Sequence, residues 1–177
     1  ATARRQHLFQ AEDFAEQPPK GFFRLFPGNR VRLRYGYVIE CTGCEKDSDG
    51  NVIAVHATYF DDSKSGTPGA DTYKVKGNLH WVSAAHALDA EVRLYDRLYK
   101  DPHPGAGDTD HLASLNPDSK QVIRAKLEPT LASAQPDERF QFERHGYFVA
   151  DRVDSKPGAP VFNRAVTLKD SWGGGKR

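Results

Sequence analysis

Val31, Leu33, Tyr35, Tyr37 and Ile39 are apolar or aromatic at every second position, the period of a strand with one buried face. Asp49-Gly50 lies between the runs Cys41 to Lys46 and Val52 to Tyr59, and because both residues tolerate positive φ it predicts a hairpin turn. A polar loop rich in Gly, Ser and Pro follows from Asp61 to Asp71, and then a strand over Tyr73 to Val82. A second hairpin is expected from Phe140 to Arg144 and Tyr147 to Val149, leading through Asp154-Ser155-Lys156-Pro157-Gly158 to Val161–Leu168. Between the halves, Ala90 to Leu98 and Thr109 to Leu115 read as short helices broken by the stretch from Asp101 to Gly107. The pattern predicts an all-β chain of two β-barrels joined by short helices.

Composition narrows what such a chain can do. With 25 basic and 24 acidic residues in 177 the net charge is +1, so binding of a polyanion has to come from local patches. No apolar run approaches the roughly 20 residues that span a bilayer, and no signal peptide is visible, which leads us to expect a soluble, cytoplasmic protein without a membrane partner. The chain starts at Ala1 and contains no methionine, so it is expected to be a piece of a longer one.

Cys41-Thr42-Gly43-Cys44 is a lone C-x-x-C without the second pair of a structural zinc site or the βαβ setting of a redox motif. On an extended strand residues three apart face opposite ways unless a bulge intervenes, so two ordinary reduced thiols are expected. His80, His86, His103, His111 and His145 are scattered over separate segments with no metal-ligand spacing, and no metal site is expected. No glycine-rich phosphate loop and no Ser/His/Asp arrangement is found, so no catalytic residue is assigned.

Five residues stand out as candidates for binding RNA. On one continuous strand Arg32 and Arg34 would share a face about 6.6 to 6.8 Å apart, a spacing near that of phosphates in a splayed single strand. Arginine grips phosphate bidentately or binds a base edge, although a solvated sheet face with two soluble charges reads equally well. Arg24 follows Pro18-Pro19-Lys20-Gly21-Phe22-Phe23, where it could stack on an unpaired base, bind the two acceptors of guanine, or serve as a loop charge. Gln141, between Phe140 and Phe142, points away from the core with an amide that can donate and accept, which suits uracil. Arg144 follows closely and could instead pair with Glu143 or Asp151 at the surface.

The most specific run is Lys74-Val75-Lys76-Gly77-Asn78-Leu79-His80-Trp81-Val82-Ser83-Ala84, with Glu91-Val92-Arg93-Leu94-Tyr95-Asp96-Arg97-Leu98 close behind. It resembles the C-terminal anticodon-binding region of the class I glutaminyl-tRNA synthetases of bacterial type, and the likeness runs from about Phe9 to Trp172. The resemblance implies two stacked, ribosomal-protein-like β-barrels, residues 15–98 forming the one farther from the catalytic body. Residues 1–14 and 99–177 would belong to the nearer one, whose opening strands would precede Ala1. It implies that Arg32 and Arg34 bind the first anticodon nucleotide, that Gln141 contacts the middle U with Arg144 on the same RNA-facing strand, and that Arg24 reads the third base, a G. The family carries polar residues where this chain has Gly21 and Phe23, which leaves part of the middle-base contact unaccounted for.

The partner so implied is glutamine tRNA with anticodon CUG or UUG, and no DNA. The parent enzyme would be a monomeric glutamine–tRNA ligase using ATP and Mg, cofactors of its catalytic domain and absent from this chain, which also lacks the H-x-G-H and K-M-S-K-S-type elements. Three other readings compete. An anticodon domain of the non-bacterial type of glutamyl-tRNA synthetase would read C at the third position, against Arg24. A ribosomal protein binding 5S RNA through a similar barrel would usually be more basic. A carbohydrate- or protein-binding β module would need Trp81 and Tyr35 as an exposed platform.

Overall fold

The computed structural model describes residues 5–107 and 110–168. The chain divides into two compact units, residues 1–85 and 86–177.

In the first unit β1 (His7–Leu8) is followed by β2 (Arg30–Leu33), β3 (Val38–Lys46), β4 (Val52–Tyr59), β5 (Gly77–Leu79) and β6 (Val82–Ser83). The main sheet has the order β4-β3-β2-β5, in which β2 and β5 run parallel with Val31 opposite Gly77 and Leu33 opposite Leu79. The turn around Asp49-Gly50 joins β3 to β4 as expected; Gly50 sits at φ 84° and the Asp47 carboxylate accepts from the amides of Asp49 and Asn51. A pair of short strands, β1 with β6, sets His7 opposite Ser83.

The alternating stretch from Val31 to Ile39 is not one strand. It folds back at Tyr35, whose φ is 60°, with Gly36 N–H donating to Leu33 and Leu33 N–H donating to Tyr37. Val31, Leu33 and Val38 are buried, whereas Tyr35 is 76% exposed at the tip. Period-two hydrophobicity runs through the turn because the strands on either side bury the same face.

The core of this unit gathers Leu25, Val31, Leu33, Cys41 and Leu79, with Phe9, Phe14, Ile39, Val55 and Trp81 against it. Burying side chains of this size contributes roughly 1.5 to 3 kcal/mol each. The loop after β4 forms single 3-10 turns at Asp61–Ser63 and Ala70–Thr72. It is fastened by Ser63, wholly buried, whose hydroxyl accepts from Val38 N–H and donates to the Phe60 carbonyl.

The second unit holds β7 (Leu88–Tyr95), β8 (Lys120–Leu127), β9 (Arg139–Phe142), β10 (Gly146–Ala150) and β11 (Val161–Val166) in the order β8-β7-β11-β10-β9. The hairpin expected near residues 140–149 is present, and β11 returns beside β10. The core is aromatic: Phe142 stacks on Phe148 with centroids 4.4 Å apart, and Phe140 and Phe142 meet Phe162 edge-on.

Two element expectations fail here. Residues 90–95 are strand, not helix, because Ala90, Val92 and Leu94 alternate inward while β7 pairs along its whole length with β8 and in parallel with β11. Sheet pairing outweighs the modest helix preference of Glu, Arg and Leu. The second helix shrinks to a 3-10 turn at His111–Ser114; Thr109 lies outside the described residues. The strand β8 has no counterpart among the elements expected from the sequence: its alternation is confined to Ile123, Ala125 and Leu127, of which Ala125 and Leu127 pack against the second core, and its other residues are exposed.

The all-β expectation is met, with no α-helix among the described residues. Neither sheet closes as paired, however, so the barrels are open, with β4 and β5 as edges of one sheet and β8 and β9 as edges of the other. No helix among the described residues is long and apolar enough to cross a membrane. The boundary between the compact units falls at Ala85/His86.

Candidate nucleic-acid interface

Arg24 sits in the segment leading into β2. Its neighbour Leu25 is a core residue, and the backbone around it is tied by Leu25 N–H donating to Asp13 and Ala15 N–H donating to Leu25. The Arg24 guanidinium donates through Nη1 to the Asp13 carboxylate, which is fully buried, while the arginine side chain keeps about a third of its surface exposed. Asn29 Nδ2 donates to the Arg24 carbonyl at 2.7 Å. A buried carboxylate holding one nitrogen of an arginine fork orients the rest of it, the arrangement needed for bidentate reading of a base edge.

Arg32 is built into the fold. Its Nη1 donates to the Ser63 carbonyl at 2.6 Å and its Nη2 to the Ala70 carbonyl at 2.8 Å, so it pins the loop after β4 onto β2. It also lines an open hollow of about 480 Å3 with Ser65, Asp71, Tyr73, Lys74 and Asn78.

Arg34 lies in the turn, not on β2, so the expected pair of arginines on one strand face does not form. Its carbonyl accepts from Trp81 Nε1 at 2.9 Å and its own N–H donates to Leu79. The guanidinium lies 5.0 Å from the centroid of the exposed Tyr35 ring and donates to the phenol oxygen at 3.2 Å. Trp81 packs against the core and meets His7 edge-on at 4.7 Å, so it forms no exposed platform with Tyr35. Burial first, and then the nearby Arg5, lower the pKa of His7.

In the second unit Gln141 is exposed on β9, between the inward Phe140 and Phe142, as its alternation requires. Arg144 is in the β9–β10 turn at φ 72°, not on the strand. Asp151 has Arg93 as an ion partner: Arg93 reaches Glu91 and Asp154 at 2.7 Å and Asp151 at 3.4 Å. The Asp151 carboxyl is held down to about 2, first by the Asp154 amide, then by the Asn163 side chain and the Val153 amide. That network explains the Glu91-x-Arg93 part of the sequence signature: it ties the turn after β10 to β7.

Sequence reasoning missed a second cluster in the first unit. Phe22, Phe23 and Phe26 with Arg30, Lys74 and Lys76 border an open hollow of about 580 Å3. The only signal was Lys74-x-Lys76 inside the signature, read there as part of a pattern. Cys41 and Cys44 are both free thiols; a bulge does interrupt the register between Cys41 and Gly43, and burial pushes the Cys41 thiol up. Among the described residues no group of three or more His, Cys, Asp or Glu could hold a metal ion.

Two family models, each described as the anticodon-binding domain of class I tRNA synthetases (E and Q), match residues 2–60 and 78–151. The chain is similar to the glutamine–tRNA ligase of Ralstonia nicotianae, 72% identical over 96% of this chain and 29% of that protein. It is also 73% identical to that of Cupriavidus taiwanensis, over 96% of the chain and 29% of that protein. To the Polynucleobacter necessarius enzyme it is 61% identical, over 95% and 30%. The chain thus spans about three tenths of the length of the curated relatives it matches.

Proposed function

Because the chain belongs to the anticodon-binding family of class I tRNA synthetases (E and Q), we propose that it recognises the anticodon loop of glutamine tRNA for a parent glutamine–tRNA ligase. The observation that carries the reading is the 72% identity to a glutamine–tRNA ligase across nearly the whole chain. The parent is a cytoplasmic, monomeric enzyme that joins glutamine to tRNA using ATP and Mg, and this chain supplies recognition without catalysis.

In this reading Arg24, oriented by the buried Asp13, reads the third anticodon base, a guanine, through its two acceptors. Arg34 with Tyr35 and Arg32 at its hollow contact the first nucleotide, and Gln141 with Arg144 the middle U. The chemistry supports a division of labour. Forks and amides discriminate between bases, whereas the basic groups around them position the backbone.

Filter binding of transcribed tRNAs tests this. Glutamine tRNA should bind more tightly than the same molecule with its third anticodon base changed from G to C, by roughly 1 to 3 kcal/mol. Arg24→Ala should weaken the cognate complex and narrow that gap. Equal binding of the two tRNAs by the unsubstituted chain would sink the glutamine assignment, and an equal loss for both on Arg24→Ala would make Arg24 a phosphate or packing residue.

A further inference from the structure

The hollow between the segment preceding β2 and the lead-in to β5 combines three properties. It is concave, it carries rings, and it is positively charged. Phe23 is 55% exposed, and Lys76 Nζ lies 5.2 Å from its ring centroid. Lys74 and Lys76 bring two positive charges, and the acid in the lining, Glu40, is held by Arg30 at 2.5 Å.

The ring's backbone is also fixed. A Cβ on Gly77 would collide with the Phe23 carbonyl oxygen and lie 2.9 Å from Val31 Cγ1, so the chain at Phe23 rests directly on β5. On the other side Asn29 holds the Arg24 carbonyl at 2.7 Å. An exposed ring on a clamped backbone costs little to immobilise when a partner arrives.

We propose that Phe23 and Lys76 form a stacking platform for one unpaired nucleotide of the anticodon loop, its base on the Phe23 ring and its phosphate near Lys74 and Lys76. This rests on the anticodon reading and adds to it a contact made by ring and ammonium instead of an arginine fork. Every base has a π-face, so such a platform supplies affinity and placement with little sequence preference. RNA fits better than protein, because lysine is depleted in protein–protein interfaces while single-stranded RNA brings the phosphates that lysines neutralise.

The test uses the 177-residue chain and anticodon stem-loops of glutamine tRNA carrying 2-aminopurine at each loop position in turn. One position should lose emission on binding, through stacking. Phe23→Leu should abolish that quench and weaken binding about tenfold, whereas Phe23→Trp should preserve both, with all three proteins melting alike. If Phe23→Leu keeps the quench and the affinity while Arg24→Ala still weakens binding, the platform is wrong and the anticodon reading stands. Failure of the unsubstituted chain to bind any stem-loop overturns both, and loss of quench and affinity in Phe23→Trp overturns stacking as the role of the ring.

Discussion

Arg32 and Arg34 are two residues apart and chemically identical, yet the structure uses them differently. Arg32 donates to the carbonyls of Ser63 and Ala70, more than thirty residues away, whereas Arg34 lies over an exposed tyrosine in a turn. Removing Arg32 leaves partly buried carbonyls without their charged donor, a loss of about 1 to 3 kcal/mol. Arg32→Ala should therefore lower the thermal midpoint, while Arg34→Ala should melt like the unsubstituted chain and flatten the salt dependence of tRNA binding by about 0.7 for each phosphate it no longer neutralises. A normal melt for Arg32→Ala would show the loop to be held without it. The sequence singled out both arginines and was silent on which one ties the loop down, because the carbonyls that take Arg32 belong to a loop with no pattern of its own.

Elements in this chain are decided by pairing more than by propensity. The segment Glu91-Val92-Arg93-Leu94 has residues common in helices and forms β7, because two neighbouring strands accept it and its alternate side chains fill the second core. Where β10 begins, Gly146 has φ 138°, and a Cβ there would collide with the Val166 carbonyl oxygen at the end of β11. Gly146→Ala should cost about 1 to 3 kcal/mol through overpacking, beyond the backbone strain of that φ. Amide exchange across β9, β10 and β11 should quicken measurably; unchanged protection there would mean that β11 yields without loss. The two hairpins were legible in advance, since Asp49-Gly50 and the alternation around Phe140 are local signals. The strand β8, exposed along most of its length, offered only the short alternation of Ile123, Ala125 and Leu127 and no turn chemistry beside it.

For the molecule as a whole, a net charge of +1 offers no long-range attraction to a polyanion. In the anticodon reading, binding draws on local cations, and Lys74 and Lys76 are two that border a concave surface with exposed aromatic character. Replacing both with glutamine should make the plot of log affinity against log salt shallower by about 1.4, the effect of two single-strand phosphates left unneutralised. A slope unchanged by the double substitution would take both lysines off the phosphate path.

The all-β class, the turn at Asp49-Gly50, the second hairpin and the family were determined by residues adjacent or nearly adjacent in the chain, where side-chain alternation and turn chemistry act directly. The end of β2 at Leu33, the strand in place of a helix at β7, the existence of β8 and the open sheets were decided by the tertiary structure. So were the capture of Arg32 and the meeting of Phe23 with Lys76, fifty-three positions later in the sequence. The reason is physical: the parallel pairing of β2 with β5 joins segments that no local pattern links, and the side chains it brings together acquire their partners only when that pairing forms.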